Sequence, residues 1–140
     1  MHKNDHVNDI RFTGKMHKDF YSQMLARTKK DDSYHRAFFY TMGICEETRQ
    51  NINTLFDFRE DGINPEGLYS AWQTGGTNRL CRLAFNLWNG WAEDGNEQTS
   101  TPYELFDCEF SPYFFEAIRL RYPEYCHDKE LGNFRHSDQL

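Results

Sequence analysis

The segment best suited to bind a ligand is WQTGGTNR, residues 72–79, where two adjacent glycines precede a helical pattern. A glycine pair lets another molecule approach the backbone closely, and the free amides at a helix N-terminus attract anions. Such a turn favours a phosphate, a partner carboxylate or a nucleotide as ligand. The predicted ligand-binding residues are Trp72, Thr74, Gly75, Gly76, Thr77, Asn78, Arg79 and Arg82.

The same segment also has a purely structural interpretation, in which a tight turn with a threonine cap precedes a helix and Trp72 is anchored in the core. It is not a P-loop, because the lysine and its spacing are missing. The arginines can also be interpreted as either structural or ligand-binding residues. No lysine occurs between Lys30 and Lys129, so this stretch uses arginine alone. The planar guanidinium groups of arginine suit either internal carboxylates or a ligand phosphate, and both interpretations stay open.

Residue types that could catalyse a reaction are present, but they form no recognisable arrangement. The four cysteines lack a Cys-x-x-Cys pair, which argues against structural zinc, and we expect them to be reduced thiols. Cys81 falls inside an apolar helical pattern, as a small buried hydrophobe would. Carboxylate pairs such as Glu46 and Glu47 suit helix ends. We therefore predict a protein that is not an enzyme, with no catalytic residue, metal ligand or cofactor.

The composition of the chain limits its class. Its 140 residues are the length of one ordinary domain, and 16% of them are aromatic while valine occurs once, so Phe, Tyr, Trp and Leu must build the core. The formal net charge of −6 argues against direct binding to DNA. No segment approaches the roughly 20 apolar residues of a membrane span, and no secretory signal is present, so we expect a cytosolic protein without a membrane partner.

Hydrophobic periodicity predicts an all-α protein, a single compact domain of about six or seven short helices with an aromatic-rich core. The predicted domain covers residues 15–126, between a flexible N-terminal segment, 1–14, and a polar C-terminal tail, 127–140. The strongest helical pattern follows the glycine pair, with Thr77 as its cap. Its apolar positions are Leu80, Leu83, Ala84, Leu87, Trp88 and Trp91.

Local signals mark the ends of the other helices. The second predicted helix begins after Asp32 or Ser33 and has a wide apolar face, which places it centrally, and Gly43 suits a left-handed stop at its end. Thr101 and Glu104 form a capping-box pattern around Pro102. A small hairpin over residues 58–63 is the one strand candidate. The remaining predicted helices cover residues 15–28, 45–56, 65–72 and 112–122.

Two further features of the C-terminal half indicate binding to a macromolecule. Acidic residues cluster between Glu93 and Glu109 and could imitate nucleic-acid phosphates towards a basic partner. Aromatic residues crowd the next stretch and favour either an interaction surface, including a homodimer, or a core that lacks aliphatic residues. These aromatic residues are Tyr103, Phe106, Phe110, Tyr113, Phe114, Phe115, Tyr122 and Tyr125.

Several segments together form a pattern over residues 16–125: FYTMGICEETR at 39–49, LYSAWQTG at 68–75, RLAFNL at 82–87, SPYFFEAIR at 111–119 and RYPEY at 121–125. This pattern resembles an uncharacterised family of small proteins found in Firmicutes genomes and their mobile elements. The resemblance implies a bacterial cytosolic setting and a mobile-element context. It supplies no catalytic residue.

These observations predict a non-enzymatic interaction protein that binds a macromolecular partner, either a protein or a ribonucleoprotein. In a mobile element, such a protein would act as an inhibitor of a bacterial defence system, as anti-CRISPR proteins do. The alternative is a small-ligand binding protein that holds a nucleotide or another phosphate-containing molecule at the turn over residues 74–79.

Overall fold

The computed structural model describes residues 5–126 and confirms a mostly helical single domain with an aromatic core. A two-stranded antiparallel hairpin pairs β1, Phe56–Asp57, with β2, Gly62–Ile63. Short 3₁₀ segments cover Asp5–Asp9, Pro65–Tyr69, Glu97–Ser100, Ser111–Tyr113 and Pro123–Tyr125. The α-helices of the described residues are α1 Lys15–Thr28, α2 Ser33–Met42, α3 Glu46–Gln50, α4 Ile52–Leu55, α5 Gly75–Asn89, α6 Pro102–Leu105 and α7 Phe114–Arg121.

Helix α2 lies at the centre of the domain, as its wide apolar face predicts. It packs against α1, α5 and α7, and every side chain from Ala37 to Met42 is buried. Rings from α2, β1 and α5 meet here, with neighbouring centroids 5.0 to 5.6 Å apart, most of them edge to face. Such pairs stabilise beyond the apolar area that they bury. The rings are Phe38, Phe39, Phe56 and Trp88.

The prediction of a left-handed stop at Gly43 is wrong, because its φ of −82° lies in the right-handed region. A Cβ at this position would lie 2.6 Å from Cδ2 of His17 and 3.0 Å from the ring of Phe20. Glycine is therefore required here by the close approach of α1 to the end of α2, not by the backbone conformation.

His17 joins α1 to α2 from a fully buried position. Its Nε2 donates to the carbonyl oxygen of Tyr40 at 2.7 Å, and its Nδ1 accepts the backbone N–H of Thr13 at 3.1 Å. These two contacts fit one neutral tautomer. Burial lowers the pKa of His17 to about 4, so the ring is uncharged at neutral pH.

Several other boundaries differ from their predictions. The segment from Pro65 ends at Tyr69 as a 3₁₀ helix and does not reach residue 72. The third predicted helix divides into α3 and α4, and its last predicted residue, Phe56, begins the hairpin. Thr101 precedes α6 without capping it, because its Oγ1 donates to the carbonyl oxygen of Gln98.

The two predicted terminal segments both stay predictions. In the N-terminal segment, Val7 is buried and Ile10 and Phe12 pack against the core, while the predicted flexibility of residues 1–14 stays a prediction. The predicted tail, residues 127–140, lies outside the described residues. Over residues 5–126, no helix has the length and apolar character that crossing a membrane requires.

Candidate functional site

The turn before α5 is a capping box whose N-cap lies three positions earlier in the chain than predicted. Thr74 is the N-cap, and its Oγ1 accepts the backbone N–H of Thr77 at 3.1 Å. Thr77 returns the interaction, accepting the N–H of Thr74 at 2.8 Å, and donates to Oε1 of Gln73 at 2.7 Å. The prediction that Thr77 is the cap is wrong, because its buried hydroxyl serves at the third helical position.

A cleft of about 320 Å³ opens beside this turn. Five predicted ligand residues line it together: Thr74, Gly75, Asn78, Arg79 and Arg82. Gln73, Thr99 and Glu104 complete the lining. The other three predicted residues lie elsewhere, since Thr77 is buried, Gly76 faces Glu109, and Trp72 packs half-buried against the core.

Arg79 contributes the cation of this cleft that pairs with no carboxylate of the described residues. Its Nε donates to the carbonyl oxygen of Glu104 at 2.9 Å, and its Nη1 donates to the carbonyl oxygen of Gly75 at 3.1 Å. Among the described residues, no carboxylate lies within 4.0 Å of this guanidinium. Two backbone contacts thus fix the orientation of Arg79 while its charge stays available to an anion.

Arg82 has the opposite role, because all three of its nitrogens bind protein groups. Nε donates to Oδ1 of Asn78 at 2.8 Å, and Nη1 donates to Oγ1 of Thr99 at 2.9 Å. Nη2 pairs with Oε1 of Glu93 at 2.7 Å, with only 12% and 22% of the two side chains exposed. The hydrogen bond from Arg82 lowers the pKa of Glu93. Arg82 therefore fastens the loop after α5 to the helix.

The first turn of α5 already has an internal anion beside it. A Cβ at Gly76 would lie 2.5 Å from Oε1 of Glu109, so this carboxylate rests against the helix backbone. A negative charge is favoured at that end of the helix dipole. Any ligand anion at the turn would share this field with Glu109. Sequence reasoning did not find this contact, since 33 positions separate the two residues and nothing local connects them.

The polar surface beyond α5 is acidic over residues 94–107, called here the acidic segment. Asp94, Glu97 and Asp107 are exposed, and Glu104 is half-buried at the cleft. No lysine or arginine occurs between positions 82 and 119, and among the described residues none of these four carboxylates forms an ion pair. Tyr103 lies within the segment with 89% of its surface exposed.

The eight aromatic residues of the C-terminal stretch divide between core and surface. Phe114 is fully buried, and Phe106, Phe110 and Tyr113 pack against the core. The ring of Phe106, the residue after α6, lies 5.0 Å from that of Phe115 on the outer face of α7. Half of the set remains exposed: Tyr103 at 89%, Phe115 at 64%, Tyr122 at 40% and Tyr125 at 80%.

Burial opposes ionisation of three of the four cysteine thiols. All four are free thiols, and burial raises the pKa of Cys81 to about 12, which keeps that thiol protonated. Burial also raises the pKa of Cys45 and Cys108. Within the described part of the chain, no group of three or more His, Cys, Asp or Glu side chains is placed to hold a metal ion.

Comparison with known proteins places the chain in a family without assigning it an activity. No curated protein and no solved structure is significantly similar to it. A family model described as a family of unknown function, DUF6075, matches residues 7–133, which includes the whole described core from Val7 onwards. The chain therefore belongs to the family of unknown function DUF6075.

Proposed function

We propose that this protein is a non-enzymatic interaction protein that binds a macromolecular partner through a basic surface of that partner. The observation that carries the proposal is the acidic segment, whose four carboxylates have no internal cation among the described residues. Unpaired surface carboxylates attract a basic partner and set its orientation. The exposed ring of Tyr103 adds a residue type that is frequent among interface hot spots.

The structure holds the start of this surface in a fixed position. Arg82 binds Glu93 just before the acidic segment and Thr99 within it. Tyr69 also donates to Oε2 of Glu93 at 2.9 Å. A preorganised surface loses less conformational entropy on binding than a loose loop does. The segment is thus suited to docking without prior rearrangement.

In the setting implied by the resemblance, a mobile element of a Firmicutes host, the partner would be a nucleic-acid-binding protein or ribonucleoprotein of a bacterial defence system. A row of carboxylates can occupy a basic groove in place of phosphates. The net charge of −6 supports this assignment, because it opposes direct binding to DNA or RNA. The protein would then act as an inhibitor by covering the groove.

The test compares two variants of equal charge in affinity capture from a bacterial host lysate. The first neutralises the acidic segment with Asp94→Asn, Glu97→Gln, Glu104→Gln and Asp107→Asn. The control neutralises four exposed carboxylates elsewhere, with Glu47→Gln, Glu60→Gln, Glu66→Gln and Glu124→Gln. We expect the first variant alone to lose the captured partner, and the wild-type complex to dissociate as salt is raised. Equal retention by both variants would overturn the proposal.

A second candidate function, binding of a phosphate-containing small molecule, is favoured by one observation. The guanidinium of Arg79 lies in the 320 Å³ cleft without a carboxylate partner among the described residues. Native mass spectrometry of the purified protein would show a retained mass of a few hundred daltons. Arg79→Ala should then weaken binding by about 1.5 to 3 kcal/mol, the cost of a charged hydrogen bond. Arg59→Ala, at an exposed position, is the matched control, and equal effects would exclude the site.

A further inference from the structure

His35 lies where three parts of the fold meet, and only 4% of it is exposed. It belongs to the first turn of α2. From the hairpin, Asp61 contacts the ring, and from the C-terminal end of α5 the edge of Trp88 packs on it with centroids 4.8 Å apart. The side chain thus connects the hairpin to the central helix.

Both ring nitrogens of His35 face carboxylate oxygens. Nδ1 lies 2.8 Å from Oδ1 of Asp32, and Nε2 lies 2.9 Å from Oδ1 of Asp61. Ionised carboxylates only accept hydrogen bonds, so both nitrogens must donate. The arrangement is complete only when the ring is a doubly protonated imidazolium.

The charges around the ring balance in that state. Lys30 pairs with Oδ2 of Asp61 at 2.8 Å, so two carboxylates face two cations, while Trp88, the contact from α5, is uncharged. Partial burial would raise the pKa of Asp32, but hydrogen bonds from the backbone and ring of His35 hold it below its usual value. For Asp61, Lys30 and His35 outweigh burial in the same way. Both carboxylates are therefore ionised acceptors.

Loss of one proton from the ring would affect the two contacts unequally. Asp32 caps α2 by accepting the backbone N–H of His35 at 2.9 Å, so it stays in place and retains the proton on Nδ1. Nε2 would then present a lone pair to the carboxylate of Asp61, and the attraction becomes a repulsion. The contact to the hairpin is the one that breaks.

The backbone of the hairpin turn favours its release. Asp61 has a φ of 55°, in the left-handed region that a non-glycine residue enters at a cost. Its side-chain contacts with His35 and Lys30 oppose that cost. Beneath the hairpin, the half-buried ring of Phe58 stacks on Phe39 at 5.8 Å. Movement of the turn would uncover this aromatic contact.

We propose that His35 is a proton-controlled latch that holds the β1–β2 hairpin against α2 and releases it when the ring loses one proton. The latch is independent of the proposed partner binding and of the cleft beside α5. Its direction is fixed by the geometry, since the closed state needs the extra proton. The hairpin is therefore closed at the acidic end of the titration and loosened at the alkaline end.

The test measures hydrogen-exchange protection factors of residues 56–63 in the full chain between about pH 5 and pH 9, together with the imidazole NMR signals of His35. Protection factors remove the intrinsic pH dependence of exchange. We expect hairpin protection to fall at least tenfold in step with deprotonation of the ring, while protection of α5 stays constant. Hairpin protection that does not follow the ring, or a ring that keeps both protons throughout, would overturn the proposal.

Asp61→Asn is the decisive variant. An asparagine amide can donate to the deprotonated Nε2 while its oxygen still accepts from Lys30, and asparagine tolerates the left-handed conformation. We expect hairpin protection in this variant not to fall when the ring loses its proton, since the amide then donates to Nε2. A loss of protection equal to that of the wild type would contradict the latch. His35→Gln provides only one donor group, so we expect the hairpin of this variant to be released at every pH. Asp61→Asn decides the question even if His35→Gln does not fold.

Discussion

Acidifying the protein from pH 7 to pH 4 should destabilise it through one residue, His17. The folded protein keeps this ring neutral because it is buried between the N–H of Thr13 and the carbonyl oxygen of Tyr40. Its pKa is about 4 when folded and 6.5 as the ordinary value. Between those values the unfolded chain binds the proton and the folded protein does not. The contribution of His17 to the free energy of unfolding is thus fully present above pH 6.5 and is lost as the pH falls towards 4.

The size of this effect follows from the two pKa values, and it amounts to about 3 kcal/mol, a large share of the stability of a small domain. The assay is urea unfolding of the wild type and of His17→Gln at several pH values from 7 to 4, with the free energy of unfolding extrapolated to water. Glutamine can still donate to Tyr40 but does not titrate in this range. We expect the wild type to lose about 3 kcal/mol more than the variant does over this range.

Two results would refute the reasoning about His17. The first is an equal loss of stability in the wild type and the variant, which would assign the acid sensitivity to other groups. The second is an imidazole NMR titration of the folded protein in which His17 takes up its proton near the ordinary value of 6.5. Either result would mean that water reaches the ring in solution and that burial does not exclude its charged form.

Three other predictions follow from the fold. Gly43→Ala should destabilise the protein by about 1 to 3 kcal/mol, because the added methyl meets the rings of α1. The control is Gly14→Ala, where nothing lies within 4 Å, and it should change stability by less than about 0.5 kcal/mol. Equal effects of the two variants in thermal unfolding would contradict the packing argument. Arg82→Ala should cost about 2 kcal/mol in urea unfolding, since the guanidinium loses its hydrogen bonds to Asn78 and Thr99, and should cost more than Arg79→Ala; the reverse order would be inconsistent with the hydrogen bonds described above. The exposed ring of Phe115 predicts weak self-association that Phe115→Ser abolishes, as measured by light scattering at increasing concentration, and a monomer mass at every micromolar concentration would exclude the homodimer.

The sequence predicts the fold well where one element contains its own signals. Helix α1 begins and ends at the predicted residues, Lys15 and Thr28. The apolar spacing after the glycine pair identifies the buried face of α5. The scarcity of valine and isoleucine indicates an aromatic core, since no other large apolar side chains are abundant enough to fill one. These features are local or compositional, so one sequence is enough to reveal them.

The sequence fails where a contact that its patterns do not reveal decides the outcome. Gly43 has an ordinary backbone conformation, and glycine is required there because the rings of His17 and Phe20 lie close to it. No local pattern indicates this contact. Thr101 has a hydrogen-bonding alternative in the carbonyl oxygen of Gln98, so its capping pattern is not used. For the same reason, the sequence predicts only part of the cleft. Spacing shows that two arginines share a helix face, but not which of them already has a partner.

The ring cluster between α2, β1 and α5 also determines how the sequence of this protein can evolve. A core of many small aliphatic side chains can absorb one change by small shifts of several neighbours. Here a few large, rigid side chains fill the core volume, including Phe38, Phe56 and Trp88, whose ring centroids lie 5.1 to 5.6 Å apart. Loss of one ring leaves a void too large for its neighbours to fill, and an added ring has no space. Viable lineages should therefore change these positions as compensating pairs, one side chain growing as the other shrinks.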